Sequence, residues 1–146
     1  MGARERTDFN SRNIAEFRSS GGTLGSFGDA PLLLLTTIGA KTGKLRTSPM
    51  MYLADERDPD RVYVFASAAG ADDDPAWFKN LAAHPTDVTV EIGRETLTAD
   101  AEIVAEPTRS EIYAVQAARY PGFAAYQAKT SRRIPVAALN LHRTPR

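Results

Sequence analysis

The stretch LLLLTTIGAKTGKLRTSPMMYL, residues Leu32 to Leu53, decides how the rest of the chain is read. Leu32 to Ile38 is a nearly unbroken apolar and β-branched run, the pattern of a strand covered on both faces. Gly39-Ala40-Lys41-Thr42-Gly43 is a short turn with glycine at each end, and Leu45 to Leu53 returns as a second strand. Pro49 interrupts that return. It offers no N–H to a ladder, so it needs an edge or a bulge.

Downstream, Arg57 to Asp60 is a polar turn, and Arg61 to Ser67 (RVYVFAS) reads as a third strand. Ala68 to Asp73 is a loop of small residues with an acidic end. Asp74-Pro75 predicts a helix start, with Asp as N-cap and Pro at the first helical position. That helix runs through Trp77, Phe78 and Leu81 to about His84, where Pro85 stops it. Val88 to Ile92 and Glu95 to Ala105 are alternating strands turned by Gly93-Arg94. Pro107 to Arg119 reads as a helix with Ile112, Val115 and Ala118 on its inner side, broken by Tyr120-Pro121-Gly122. Phe123 to Lys129 is a short helix, and Ile134 to Leu141 a final strand with Pro135 near its start. Upstream, Thr7 or Asp8 is placed to cap a helix to about Arg18, with Phe9, Ile14 and Phe17 on one side. Ser19 to Gly28 is glycine-rich but follows no strand, so it is a poor dinucleotide fingerprint and reads as a flexible lead-in.

The result is about six strands and three or four helices, joined mainly by hairpins, so the sheet is expected to be mostly antiparallel. Closing such a sheet removes exposed edges. The fold class is α+β with a β-barrel core. The expected organisation is one domain overall, a helical extension over 1–19 and the barrel over 20–146.

Composition narrows the function classes. The chain has 146 residues, 42% hydrophobic and 25% charged, which suits one globular domain. No cysteine is present, so disulfides, thiolate nucleophiles and Cys-ligated metals are excluded. Two distant histidines, His84 and His142, give no metal site, and no Ser-His-Asp or Cys-His arrangement can be placed. Any chemistry is then expected to be borrowed from an organic cofactor. No apolar run is long enough to span a bilayer. A cytoplasmic protein is expected, and any membrane association would be peripheral. The weak Phe9, Ile14 and Phe17 stripe does not argue for one. Oligomeric state, monomer or homodimer, stays open.

Net charge is zero but segregated. Residues 1–50 hold seven bases and four acids, residues 51–106 four bases and thirteen acids, and residues 107–146 seven bases and one acid. That balance disfavours a nucleic-acid partner. Either the blocks pair with one another across the surface, or they leave a local anion pocket.

Three clusters could carry chemistry. Lys41, Lys44 and Arg46 sit among Thr42, Gly43, Thr47 and Ser48. The lysines suit phosphate as point charges, and the guanidinium suits a phosphate or carboxylate bidentately. A solvated basic hairpin is the alternative. In Asp74 to Asn80, a helix N-terminus can bind an anion, Trp77 can stack on a planar ring and Asn80 can hydrogen-bond one. Core filling by the indole is the alternative, and an N-capping Asp74 would weaken the anion site. Tyr120, Phe123 and Tyr126 recur every three residues. They either wall an apolar pocket with a phenol as proton donor or simply pack.

Taken with FASAAGADDDPAWFKNLAAHPTDVTVEIG and ARYPGFAAYQAKTSRRIPVAAL, the opening stretch resembles the deazaflavin (F420)-dependent nitroreductase and quinone reductase family of actinobacterial oxidoreductases, over about residues 20–142. The resemblance implies a split β-barrel and coenzyme F420, a 5-deazaflavin with a phosphate and an oligoglutamate tail. It also implies hydride transfer to a small electron-poor acceptor: a quinone, an enone such as an unsaturated lactone, or a nitroaromatic. A reductase of the same fold using FMN or FAD, or a non-catalytic cofactor-binding protein, is the alternative. By the family motif, Ala40, Lys41 and Thr42, then Arg46, Thr47, Ser48, Pro49, Met50 and Met51, then Phe65, Ala66, Ser67 and Ala68, and Ala76, Trp77, Phe78, Lys79 and Asn80 line the cofactor. Tyr120, Phe123 and Tyr126 flank the substrate, with Tyr126, Tyr120 or Ser67 as proton source. Two departures stand out: Ala68 replaces a frequent Lys, and Phe123 replaces a Tyr of some members.

Overall fold

The computed structural model describes residues 3–25 and 30–143, with side chains from Ser11 onward. In chain order the elements are α1 (Ala3–Ser20), β1 (Leu32–Ile38), β2 (Leu45–Ala54), β3 (Arg61–Phe65), α2 (Ala76–Ala83), β4 (Val88–Ile92), β5 (Glu95–Ile103), α3 (Thr108–Arg119), α4 (Gly122–Lys129) and β6 (Val136–Leu141). The strands close into a barrel in the order β1-β2-β3-β6-β5-β4. Every ladder is antiparallel, including the β1–β4 seam that pairs Leu33 with Ile92 and Leu35 with Val90.

Strand alternation divides the apolar residues between three layers. Leu33 and Leu35 of β1, Val62 and Val64 of β3 and Leu139 of β6 point into the barrel, where Phe78 and Leu81 of α2 join them. Leu32 and Leu34 point the other way, under Phe17 of α1 and Leu24. Tyr63 and Phe65 face Tyr113 of α3 and Phe123 of α4. The continuous apolar run of β1 thus has its reason: a helix covers the face that the barrel does not.

Pro49 is tolerated as an edge residue. Only Tyr52, Leu53 and Ala54 of β2 pair with β3, whereas Leu45 to Met51 pair with β1 alone, Pro49 opposite Leu34.

Several boundaries differ from expectation. α1 begins at Ala3, so Thr7 and Asp8 are interior to it rather than caps, and the Phe9 side chain lies outside the described residues. The glycine-rich segment starts inside α1, and Ser26 to Gly28 lie outside the described residues. β3 stops at Phe65 because Ala68, Ala69 and Gly70 turn with positive φ. α2 is capped by Pro75, not Asp74. β5 ends at Ile103 and β6 begins at Val136, each shorter than its apolar pattern. The buried residues of α3 are Arg109, Tyr113 and Gln116, whereas Val115 and Ala118 are exposed. Arg109 is admitted because its guanidinium donates to Ile134 O (2.8 Å) and Gln127 Oε1 (2.7 Å) and lies over the Tyr113 ring.

The side-chain amide of Gln116 is fully buried and has no partner for either polar atom among the described residues. An unpaired buried amide costs about 1–3 kcal/mol, so Gln116→Met is expected to raise unfolding stability by that order in denaturant titration.

Acid lability has a local origin. Asp55 accepts from the Tyr63 hydroxyl and from the N–H groups of Arg57 (2.8 Å) and Asp58 (2.9 Å), which hold its carboxyl below the usual carboxylate range. Hydrogen bonds from Arg61 and then Asn140 do the same for Glu102. A depressed folded pKa stabilises fully above the unfolded value of about 4, and that stability is lost as pH falls through the depressed one. Asp55→Asn is expected to flatten the acid limb of a stability-against-pH curve while leaving its neutral region little changed in slope.

Candidate active site

The β1–β2 hairpin is held tight by Gly39 N–H to Lys44 O (2.8 Å) and Gly43 N–H to Gly39 O (2.9 Å). Gly43 sits at φ +70°, and a Cβ on Gly39 would lie 2.7 Å from Thr42 Oγ1, so the turn needs both glycines. Asn80 of α2 fixes its position. The Asn80 Oδ1 accepts from Ala40 N–H (2.9 Å), and its Nδ2 donates to Thr37 Oγ1 (3.3 Å), both in buried or half-buried surroundings. Thr36 and Thr47 join the strands below by a hydroxyl–hydroxyl bond of 2.8 Å.

Hairpin, α2 and α1 together wall a cleft of about 680 Å³. Ala40, Lys41, Thr42, Arg46, Thr47 and Ser48 line it from one side. Ala76, Trp77, Lys79 and Asn80 line it from α2. Ser11 and Ile14 of α1, with Gly39 and Leu45, complete it. The sequence reading missed the α1 residues, having taken that helix as an extension; the amphipathic stripe that includes Ile14 was the available signal.

Across the barrel, bases and acids of different segments pair: Arg18 with Glu91, Arg132 with Asp74, Arg133 with Glu106, and Arg143 with Asp60 and Glu95, while Arg61 pairs with Glu102 within the acidic segment. Lys41, Lys44, Arg46 and Lys79 make no ion pair among the described residues. The segments thus pair with one another across part of the surface, as one reading of the segregated charge expects. The N–H groups of Ala76 and Trp77 at the start of α2 also have no acceptor there. Asp74, expected to fill that position, is instead drawn to Arg132 Nη1 at 2.9 Å. The start of α2 and three cations without an ion-pair partner, Lys41, Arg46 and Lys79, thus line one cleft, a donor set of the kind that suits an anion.

Trp77 divides between the two roles expected for it. The indole lines the cleft and is half-buried, with its ring edge-on to Phe78 at 6.1 Å and 84°. Asn80 is buried and committed to Ala40 and Thr37, so it positions the hairpin.

Other expected positions lie elsewhere. Phe65, Ala66 and Phe78 have core side chains, Ala66 and Phe78 in the barrel interior and Phe65 against α3 and α4. Met50 packs against the barrel interior, and Met51 against the layers under α1 and α3–α4. Pro49 and Ser67 are half-buried, and Ala68 is exposed at φ +44°. Phe123 is core, edge-on to Phe65 (5.5 Å), Tyr113 (6.3 Å) and Tyr126 (5.5 Å). Tyr120 and Tyr126 flank that cluster, both half-buried.

Cations, backbone N–H groups and an indole thus meet around one cleft of a closed antiparallel barrel. Comparison with known proteins supplies the rest. The family model for F420H(2)-dependent quinone reductase matches residues 10–140. An F420H(2)-dependent quinone reductase of Mycobacterium tuberculosis is 35% identical over 133 residues, 86% of this chain and 85% of the relative. A solved F420-H2 dependent reductase, FDR-A, superposes with TM-score 0.65 at 34% identity over 75% of this chain and 93% of its own. A chain solved as a domain-swapped dimer superposes with TM-score 0.67 at 32% identity, over 92% of this chain and 98% of its own. The chain belongs to the F420H2-dependent quinone reductase family, so it is an oxidoreductase whose cofactor is reduced coenzyme F420, and the flavin and non-catalytic alternatives are set aside.

Proposed function

We propose that the cleft between the β1–β2 hairpin and the start of α2 holds F420H2, and that the chain delivers its hydride to a quinone-type acceptor approaching from the α4 side. Lys41, Arg46 and Lys79, three cleft cations with no ion-pair partner among the described residues, with Lys44 in the same hairpin, carry this reading. A phosphate and an oligoglutamate tail supply the anions such a donor set lacks. When bound, the reduced deazaflavin supplies a hydride at carbon.

The chain's own part is to bind, align and exclude water. Lys41, Lys44 and Lys79 act as point charges, Arg46 as a bidentate donor, and the N–H groups of Ala76 and Trp77 as neutral donors. Thr42, Thr47 and Ser48 add hydroxyls along one wall. Trp77 offers its face to the planar ring, which then extends toward Pro49, Met50, Met51, Ser67 and Ala68. Tyr126, Tyr120 or Ser67 supplies the proton the reduced acceptor needs. With Ala at 68, the tail is gripped by the hairpin and Lys79 alone. The reading takes the protein as cytoplasmic, acting as a monomer or homodimer on a small molecule with no nucleic-acid partner. Among the described residues no helix is long and apolar enough to cross a membrane.

The test is a titration of the purified protein with F420, followed by an acceptor screen. Trp77 is the single tryptophan, so ring stacking is expected to quench its emission. F420H2 is then expected to be oxidised with menadione, and nitroaromatics and enone lactones measure how far the acceptor range extends. Failure to bind at micromolar F420 would refute the proposal. A yellow preparation releasing flavin on denaturation, or binding without turnover of any acceptor, would do so as well.

A further inference from the structure

We propose that Arg132 is a positioning residue that sets the cofactor half of the site against the acceptor half; this rests on the cofactor reading above. Its guanidinium is 15% exposed and lies against the connection between β3 and α2. Nε donates to Ala71 O at 2.7 Å, Nη2 to Ala66 O and Ser67 O at 3.0 Å each, and Nη1 pairs with Asp74 Oδ1 at 2.9 Å. The four acceptors mark the whole path from the end of β3 to the start of α2.

Two bonds inside that path, Gly70 N–H to Ser67 O (2.8 Å) and Ala71 N–H to Ala68 O (3.1 Å), turn it locally. Ala68, Ala69 and Gly70 run through φ of 44°, 54° and 82°, a region alanine avoids. The ties that seat it against the rest of the protein come from α4 and the segment after it. Thr130 Oγ1 donates to Asp72 Oδ1 (2.9 Å), and Lys129 Nζ reaches Ala69 O at 3.5 Å. A Cβ on Gly70 would lie 2.9 Å from Tyr126 O, so the loop is seated directly on α4. Arg132 makes the largest share of these bonds. The helix carrying Trp77 and the helix carrying Tyr126 are therefore registered through one loop and chiefly one side chain. Arg132 has a second effect on the same site. It draws Asp74 away from the N–H groups of Ala76 and Trp77 and balances its charge, leaving the start of α2 open to an anion. Lysine can match the charge but cannot reach acceptors in four directions.

The experiment compares Arg132→Lys with wild type for F420 affinity, kcat and Trp77 anisotropy, with folding checked by circular dichroism. Arg132→Lys is expected to keep F420 affinity within about threefold and to lower kcat roughly 10- to 100-fold, since a small misalignment of donor and acceptor suffices for that. Trp77 anisotropy is expected to fall. Arg132→Ala is expected to lose affinity as well, and adding Asp74→Asn to it restores affinity but not kcat. A folded Arg132→Lys protein with kcat near wild type, or with affinity and kcat lost in parallel, overturns the proposal. If Arg132→Lys does not fold, Asp74→Asn alone decides. It loosens only the grip at α2, is expected to lower kcat about threefold without weakening affinity, and unchanged kcat overturns the proposal. Lys41→Ala/Arg46→Ala in the same assay separates the two ideas. Unchanged F420 affinity there overturns the cofactor reading, whereas loss there beside a normal Arg132→Lys enzyme overturns only the role of Arg132.

Discussion

Lys41→Ala combined with Arg46→Ala is expected to weaken F420 binding by about a hundredfold, measured by equilibrium titration at low salt. Each charge-assisted contact to a phosphate or carboxylate contributes roughly 1–3 kcal/mol, and the hairpin places both side chains on one cleft. Full additivity is not expected, because neighbouring cations share the same anion. The exposed position of both residues has two consequences. The variant should fold with little change in stability, since neither side chain packs in the core. Wild-type affinity should also fall with ionic strength, and that dependence should become shallower in the variant. Wild-type-like affinity and salt dependence in the double variant would place the anionic tail somewhere other than the hairpin.

Asn80→Leu is expected to damage both fold and site. Asn80 is 7% exposed and ties Ala40 of the hairpin to Thr37 of β1. Removing it leaves the Ala40 N–H and the Thr37 hydroxyl without this partner, and each orphaned group costs about 1–3 kcal/mol where water cannot replace the bond. The hairpin then loses its only side-chain tie to α2 among the described residues, so cofactor affinity falls with stability. Asn80→Asp separates the two effects. A carboxylate still accepts from Ala40 N–H, and the Thr37 hydroxyl can turn to donate to it. It also adds a negative charge to a cleft built for anions. Affinity should therefore fall further than stability, read by parallel F420 titration and urea unfolding. Equal losses in both would show that Asn80 acts on folding alone.

The barrel was legible in the sequence wherever structure is set locally. The Leu32–Ile38 run, the glycine-bounded turn and Pro49 specify a hairpin with one open edge, and the register pairing Ile38 with Leu45 follows from that turn. The helix of Trp77 and Phe78 was legible too, because Pro75 and Pro85 bracket it. Its cap was misread: Asp74 is a good capping residue by type, yet an arginine far along the chain outbids the local N–H groups for its carboxylate. The inner face of α3 was misread for a related reason. Apolar periodicity points to Val115 and Ala118, but acceptors on α4 and on the segment leading into β6 make room for Arg109 instead.

By itself, then, the amino-acid order determined the strands, their hairpin pairing, the polybasic turn and the family, because each is written in residues a few positions apart. Only the tertiary structure decided which cations stay unpaired, that Asn80 ties the hairpin to α2, and that Arg132 reaches the connection before α2. Those outcomes depend on partners 40 residues apart for Ala40 and Asn80 and 66 apart for Ala66 and Arg132. Charge and hydrogen-bond pairing at such separations follow from distance in space, which no local pattern records.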